Sequence, residues 1–444
     1  MKFIIITNAP TLNKENEYYS YAPYVNEINI WSKFIDELGI VSPIEYHKEL
    51  LLSEFNSKIN VYPIKEISFT TVYNVLKSIY YIPKICIQIY NAMQWADHIH
   101  LRCPGNIGLL GCFVQMLFPK KPKTVKYAGN WDPKSKQPWS YKLQKWILSK
   151  TFLTRNCKVL VYGEWPNQSK NIIPFFTASY AEKEMEEIDI VKKVESLRQA
   201  QIDSMEHHPE LVEGTHDVEF NDKITRSFIP GNYNKEVNDE MLKRVQYGDS
   251  NCQLVQSRCD VSDQKDVLKF MYVGGLVPGK QPLLSVHVVH ELHKKGYKVQ
   301  LDMFGDGVER VKLSTYIVSN SLEDIVVLHG NKAKEVVKKA YQQAHFLVFI
   351  SKSEGWPKVV AEAMFWGCLP VTTKVSCIPY MLDNGNRGAI VNANVDEIVW
   401  VIENYIKNSG KYKEQILNAI EWSWQFTLEK FEMEIGKLLR LFQT

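Results

Sequence analysis

From Lys269 onward the sequence alternates strand-length apolar runs with helix-length amphipathic segments, and this rhythm restricts the fold more than any other feature. The runs at 270–273, 299–304, 325–328, 345–350 and 369–373 are apolar enough to be strands buried on both faces. Residues 282–295, 308–320, 333–343 and 357–366 are each long enough for a crossover helix. Strand, crossover and parallel strand make a βαβ unit, so residues 267–421 are expected to form a doubly wound parallel sheet with helices on both faces.

The first half repeats the rhythm less cleanly. Strands are expected near 3–7, 59–63, 98–102, 124–127, 159–162 and 171–174, with helices at 24–38, 71–92, 107–117 and 140–153. Residues 1–185 therefore read as a second α/β domain, and 444 residues accommodate two such domains with an extra segment. Residues 186–266 break the pattern: they are charged and polar with few aromatics and read as a mobile linker or insertion. Residues 422–444 read as an aromatic-rich turn and an amphipathic helix, with Phe431, Ile435, Leu438, Leu439 and Phe442 on one side, that ties back to the N-terminal domain.

Charge and composition exclude several classes. The net charge of +3 is too small to suggest a general nucleic-acid binder, so any phosphate binding must be local. The opening residues, Met1 to Pro10, read as a buried strand rather than a signal-peptide core, which predicts a cytoplasmic protein. The longest nearly uncharged apolar stretch, 107–118, is shorter than the ~20 residues that a bilayer span requires. The eight cysteines include no C-x-x-C pair and no histidine pattern for zinc, so they are expected to be reduced and no metal or cofactor is expected.

The chemistry concentrates at 345–371. A buried strand ends near Ile350, a short polar loop follows, and Pro357 stands where a first-turn proline opens a helix. Ligands of open α/β sheets bind at such strand ends, and the free amides and positive dipole of a helix start seat a diphosphate. Glu354 lies in the loop and Glu362 on the second turn of the helix. Carboxylates would repel phosphate, so their partners are expected to be hydroxyls on either side of it: a ribose at one end and a hexose at the other, as in a nucleotide sugar. The bland alternatives are a cap for Glu354 and a solvated helix face for Glu362.

The segment Glu354-Gly355-Trp356-Pro357, with Glu362-Ala363-Met364 and then Gly367 and Pro370-Val371, resembles the signature E-G-[FW]-P-x-x-x-x-E-A-M of family-4 retaining glycosyltransferases. The stretch from Tyr272 to Lys280, the turn Phe304-Gly305-Asp306-Gly307 and the strand end Val327-Leu328-His329-Gly330 are similar to further motifs of that family. The resemblance covers about 268–392. It implies the GT-B fold, two Rossmann-like domains facing across a cleft, and a hexosyl transfer that retains configuration without a metal. It further implies that Glu362 holds the ribose, Glu354 the donor sugar and Lys280 the diphosphate, with Lys280 and Glu354 as catalytic residues. Gly274, Gly275, Gly305, Asp306, Gly355, Trp356, Pro357 and Lys358 would line the donor site. The expected partners are a UDP- or GDP-linked sugar and a glycan or lipid-linked acceptor of cell-surface polysaccharide assembly.

The chain departs from the family twice. Gly275 stands where an arginine usually accompanies the lysine, and Ser376 to Tyr380 replaces a G-G-x-P-E loop. Arg102 and Lys126 are candidates to supply the missing charge, or else form structural salt bridges. Asn8, Asn130 and Asp132 are candidates for the acceptor side, and the tyrosines from Tyr18 to Tyr24 form either an acceptor platform or packing. A basic amphipathic helix at 140–155 would suit contact with the inner face of a membrane, or simply cover the domain. Competing functions are a nucleotide-sugar epimerase on the same scaffold and a non-catalytic binder of nucleotide sugars. A dinucleotide oxidoreductase is disfavoured because no G-x-G-x-x-G follows a strand.

Overall fold

The structure, a computed structural model, describes residues 1–15, 17–45, 51–67, 71–207 and 267–442. The chain divides into two compact units: Met1–Ser179 with Glu354–Trp356 and the segment from Phe426 onward, and Tyr180–Ser353 with Pro357–Gln425.

The first unit contains, in chain order, Lys2–Ile6 (β1), Leu12–Lys14 (β2), Glu17–Tyr21 (β3), Ala22–Trp31 (α1), Glu37–Pro43 (β4), Leu52–Glu54 (β5) and Ile59–Ile64 (β6). Val72–Trp95 (α2), His98–Cys103 (β7), Asn106–Val114 (α3), Lys123–Tyr127 (β8), Trp139–Leu148 (α4), Cys157–Tyr162 (β9) and Ile172–Phe175 (β10) follow. Seven strands form one parallel sheet in the order β10-β9-β8-β7-β1-β4-β6, with Ile5 opposite both Ile40 and His100. Because side chains alternate along a strand, β1 serves two cores. Ile4 and Ile6 point with Leu101, Val125 and Val159 into the layer built by α2, α3 and α4. Phe3 faces the other way, stacked 4.9 Å from His98 and 5.8 Å from Trp31.

One expectation for this unit needs correction. The helix expected over 24–38 ends at Trp31, and 37–43 is the inner strand β4. The apolar spacing of Ile30, Phe34 and Leu38 imitates a helix, but Leu38, Ile40 and Val41 bury fully only by pairing with β1. Tyr18 and Tyr19 lie on β3, which pairs antiparallel with β2 and β5 in a small separate sheet.

The second unit contains Ile190–His207 (α5), Leu268–Val273 (β11), Pro282–Lys294 (α6), Val299–Phe304 (β12), Arg310–Ser319 (α7), Val326–Gly330 (β13), Lys334–Gln343 (α8) and Phe346–Phe349 (β14). Lys358–Phe365 (α9), Leu369–Thr373 (β15), a helical turn at Ile378–Met381, Ala389–Val391 (β16), Val395–Lys407 (α10) and Ser409–Ser423 (α11) complete it. Its sheet is parallel throughout, ordered β13-β12-β11-β14-β15-β16. The alternation read from the sequence is the alternation of this sheet, with the three-residue β16 added at its edge.

Residues 190–207, read from the sequence as part of a polar linker, form α5 within this unit. Leu197 is fully buried, and the Lys193 ammonium donates to the carbonyls of Tyr341, Ala344 and Gly367 at 3.4, 2.8 and 2.6 Å. The three carbonyls, at the C-terminal ends of α8 and α9, offset the cost of burying this cation. Residues 208–266 of that stretch, with Cys252 and Cys259, lie outside the described residues.

The last helix, Leu428–Arg440 (α12), belongs to the first unit, capped by Thr427, whose Oγ1 accepts from the Lys430 amide at 3.2 Å. Phe431 packs 5.6 Å from Phe175 and 5.7 Å from Phe176, and Lys33 pairs with Glu432.

Candidate functional site

In the second unit the candidate donor residues gather at the carboxyl ends of β11, β12 and β14. The loops leaving these strands are tied together by backbone bonds: Gly274 N to Phe304 O at 2.9 Å, Leu276 N to Asp306 O at 3.0 Å, and Gly305 N to Gly330 O at 2.9 Å. This close approach is why glycine stands at 305. A Cβ there would lie 2.0 Å from Gly274 O, and its φ of +123° is one that side chains rarely adopt. Gly275 is different: a Cβ would meet nothing closer than 3.9 Å, so packing does not require glycine at that position.

Lys280 ends the 3-10 turn Pro278–Lys280. Its ammonium lies 4.9 Å from the Phe349 ring centre, and its Cδ is 3.4 Å from where a Gly274 Cβ would sit. The turn is pinned to the end of β14, where Lys352 N donates to Gly279 O at 2.9 Å and Ser351 Oγ to the same oxygen at 3.4 Å. Thr373 on β15 holds Ser351 in turn, donating to its carbonyl at 2.6 Å and accepting from its amide at 3.1 Å. The lysine is therefore carried by a rigid strand-end scaffold.

The helix α9 begins one residue later than expected, with Pro357 as its N-cap and Lys358 as its first helical residue. Pro357 O accepts from Val360 N at 2.9 Å, which leaves the amides of Lys358 and Val359 ahead of the first intrahelical acceptor. Glu362 is half-buried on the second turn. The Tyr341 hydroxyl, reaching from α8, is shared between Val359 O at 3.2 Å and Glu362 Oε2 at 3.4 Å. Burial, reinforced by the Glu362 charge, holds the Tyr341 hydroxyl well above its ordinary pKa, so it stays a donor. Tyr180 is shifted upward for the same two reasons.

Asp306 accepts from the Gly307 amide at 2.7 Å and stands 4.0 Å from Arg310. Among the described residues no group of His, Cys, Asp or Glu could hold a metal ion.

Glu354, Gly355 and Trp356 cluster with the first unit. A Cβ on Gly355 would lie 2.2 Å from Ala128 O, so only glycine fits there. Trp356 is buried against Tyr162 at 5.7 Å and Phe426 at 6.0 Å.

The remaining candidates in this unit hold the protein itself. Arg102 donates to Glu27 Oε1 at 2.6 Å, and buried Lys126 lies 3.9 Å from the same oxygen while donating to Phe176 O at 3.1 Å. These are the ion pairs left open as their alternative role. Asn8 Oδ1 accepts from Ile107 N at 2.7 Å in the first turn of α3. Asn130 and Asp132 fold their own loop, with Asp132 N donating to Asn130 Oδ1 and Lys134 N to Asp132 Oδ1, both at 2.8 Å.

Residues 259–422 match the family described as Glycosyl transferases group 1. Over 169 residues the chain is 26% identical to an uncharacterized glycosyltransferase of Methanocaldococcus jannaschii, covering 38% of this chain and 46% of that protein. Over 183 residues it is 25% identical to one component of the phosphatidylinositol N-acetylglucosaminyltransferase of Arabidopsis thaliana, covering 40% and 41%. The chain thus spans less than half the length of these curated relatives.

Among solved structures, Anabaena HepE in complex with UDP and glucose aligns at a TM-score of 0.59 and 12% identity, covering 99% of both chains. Sucrose-phosphate synthase of Thermosynechococcus elongatus aligns at 0.58 and 13%, covering 99% of this chain and 98% of that one. The fold is GT-B, built of two Rossmann-like units, and its second unit carries the glycosyl transferases group 1 match.

Proposed function

We propose that the protein is a retaining glycosyltransferase that moves a hexosyl group from a UDP- or GDP-linked sugar to a glycan or lipid-linked glycan acceptor, in the assembly of cell-surface polysaccharide. The observation that carries this reading is the scaffold around Lys280. A cation in the turn after β11, fixed over Phe349 at the end of β14, shares a unit with the α9 amides and with Glu362, which is steadied by Tyr341. The match of the same unit to Glycosyl transferases group 1 supports it. So does the lipid acceptor implied by the name of the Arabidopsis relative, and the UDP and glucose in the HepE structure support the donor class.

In this reading the diphosphate lies over the start of α9, its charge met by the Lys358 and Val359 amides, the helix dipole and Lys280. Charge grows on the diphosphate as the glycosidic bond breaks, so donors already fixed in place favour the transition state over the ground state. Glu362 accepts from the ribose hydroxyls. Glu354 accepts from the hexose hydroxyls and steadies its ring while the bond to the leaving group lengthens.

The test is a transfer assay with UDP-, GDP- and ADP-sugars, reading the anomeric configuration of the product by NMR. A product of unchanged configuration supports the proposal; an inverted one, or an isomerised sugar formed from donor alone, overturns it. Gly275 favours a second reading, a binder that has lost turnover, because a Cβ there would meet nothing closer than 3.9 Å and packing does not require glycine. Nucleotide binding by calorimetry with no transfer or hydrolysis across the panel would select it.

A further inference from the structure

The first unit is electrically and chemically lopsided. Residues 67–163 hold fourteen Lys and Arg against two acids, Asp97 and Asp132; Arg102 and Lys126 pair with Glu27 and Lys123 is buried, so eleven of these cations remain against the two acids in a chain whose net charge is +3. The same stretch builds α2, α3 and α4, which lie on one face of the sheet, with α3 packed against both neighbours.

The outer surface of α2 is apolar. Leu76, Ile79, Tyr80, Pro83, Ile87 and Tyr90 are all exposed, with Leu76, Tyr80 and Ile87 at 65%, 79% and 61%. At ~100° per residue they fall within an arc of roughly 100°, a single stripe along three turns or more. Ile85, Ile89, Ala92 and Met93 take the opposite side and are buried in the core. The charges on this helix are Lys77 and Lys84, both exposed beside the stripe. The neighbouring segment, singled out in the sequence as a basic amphipathic helix, exposes Trp139, Trp146 and Phe152 together with Lys142 and Lys150.

We propose that the α2 stripe docks the N-terminal unit on an anionic lipid bilayer, lying in the interface with its apolar side chains among the acyl chains and its lysines at the headgroups. Aliphatic and aromatic residues flanked by basic ones, without acids, are the chemistry of an interfacial helix. A second copy of the chain would bring one basic face against another, which charge opposes. A nucleic acid would use the lysines but leave Leu76, Ile79 and Ile87 in water. No described helix is long and apolar enough to cross a membrane. This inference concerns where the protein sits and stands apart from the transfer reaction.

The test is co-sedimentation of the full chain with sucrose-loaded vesicles of phosphatidylcholine alone and of phosphatidylcholine containing phosphatidylglycerol. The chain is expected to pellet with the anionic vesicles, more weakly at high salt. The double variant Tyr80→Ser, Ile87→Ser keeps every charge and both sites are exposed, so its circular dichroism should be unchanged while its partitioning falls by about tenfold or more. Lys77→Gln with Lys84→Gln should weaken binding to the anionic vesicles alone. A wild-type chain that stays in the supernatant with anionic vesicles at low salt overturns the proposal. So does a serine variant that partitions like wild type, which would mark a general polyanion surface. A concentration-dependent dimer abolished by the serine variant, without vesicle binding, would assign the stripe to a second copy and also overturn it.

Discussion

Tyr341 on α8 holds Glu362 on α9 through a hydroxyl that it also shares with Val359 O. The tyrosine is fully buried and the glutamate half-buried, so the contact fixes the position of one carboxylate oxygen. Tyr341→Phe removes the donor without changing shape. It should cost about 1–2 kcal/mol of stability, because Val359 O loses a buried partner. If Glu362 binds the donor's ribose, the variant should raise donor KM several-fold with kcat little changed, and Glu362→Ala should raise donor Kd further. Steady-state kinetics with calorimetry checks both; unchanged donor binding in Glu362→Ala would remove this carboxylate from the site.

Lys280 is expected to act differently. A cation that meets charge growing on the departing diphosphate contributes more to the transition state than to the bound donor. Lys280→Ala should lower kcat by about 10²–10³-fold and weaken donor binding by much less. A variant that loses binding and turnover equally would make the lysine a ground-state anchor only.

How far the sequence reaches follows from the range of the interactions. The strands of the second unit were legible because a parallel sheet buried on both faces writes continuous apolar runs; Lys280, Glu354 and Glu362 could be nominated as candidates because the motif that carries them is local. Tyr341 was not legible: its role depends on α8 meeting α9, and an aromatic in a lysine-rich helix carries no local mark of that contact. Strand β4 was hidden for a related reason, since Ile30, Phe34 and Leu38 match a helical period and only pairing with β1 overrides it. Helix α5 looked too polar to pack because Lys193 gains its three carbonyl partners only in the folded unit.

Gly275 and Gly305 separate tolerance from necessity. Gly305→Ala places a methyl within contact distance of Gly274 O at a φ of +123°, so the strand ends must part and the domain should lose several kcal/mol, on the order of 2–4. Gly275→Arg adds a Cβ that meets nothing closer than 3.9 Å and should leave the thermal midpoint within a few degrees. If the diphosphate lies beside Lys280, the added guanidinium should raise turnover; a stable Gly275→Arg variant with lower donor affinity would place the diphosphate elsewhere.

The buried histidines make the fold acid-sensitive. Desolvation, with Lys123 nearby, lowers His98 to about 3; desolvation, with Lys193 and Lys269 nearby, lowers His345 to about 3, and His100 is pushed well down by burial and Arg102. In the unfolded chain each imidazole takes up a proton near pH 6.5. Between that pH and about 3 the unfolded state therefore binds more protons than the native one, and stability falls as the solution is acidified, by about 1.4 kcal/mol per pH unit for each fully titrating histidine. Above pH 7 these groups are neutral in both states and the dependence vanishes. Urea unfolding at pH 5 and pH 7 should therefore show a marked loss at pH 5, where carboxylates still contribute little. His98→Phe removes one titrating group, so the pH 5 to pH 7 difference should shrink by about the share of one proton, whatever the variant does to stability at pH 7. A variant with the same acid slope as wild type would mean that His98 is protonated in the native fold.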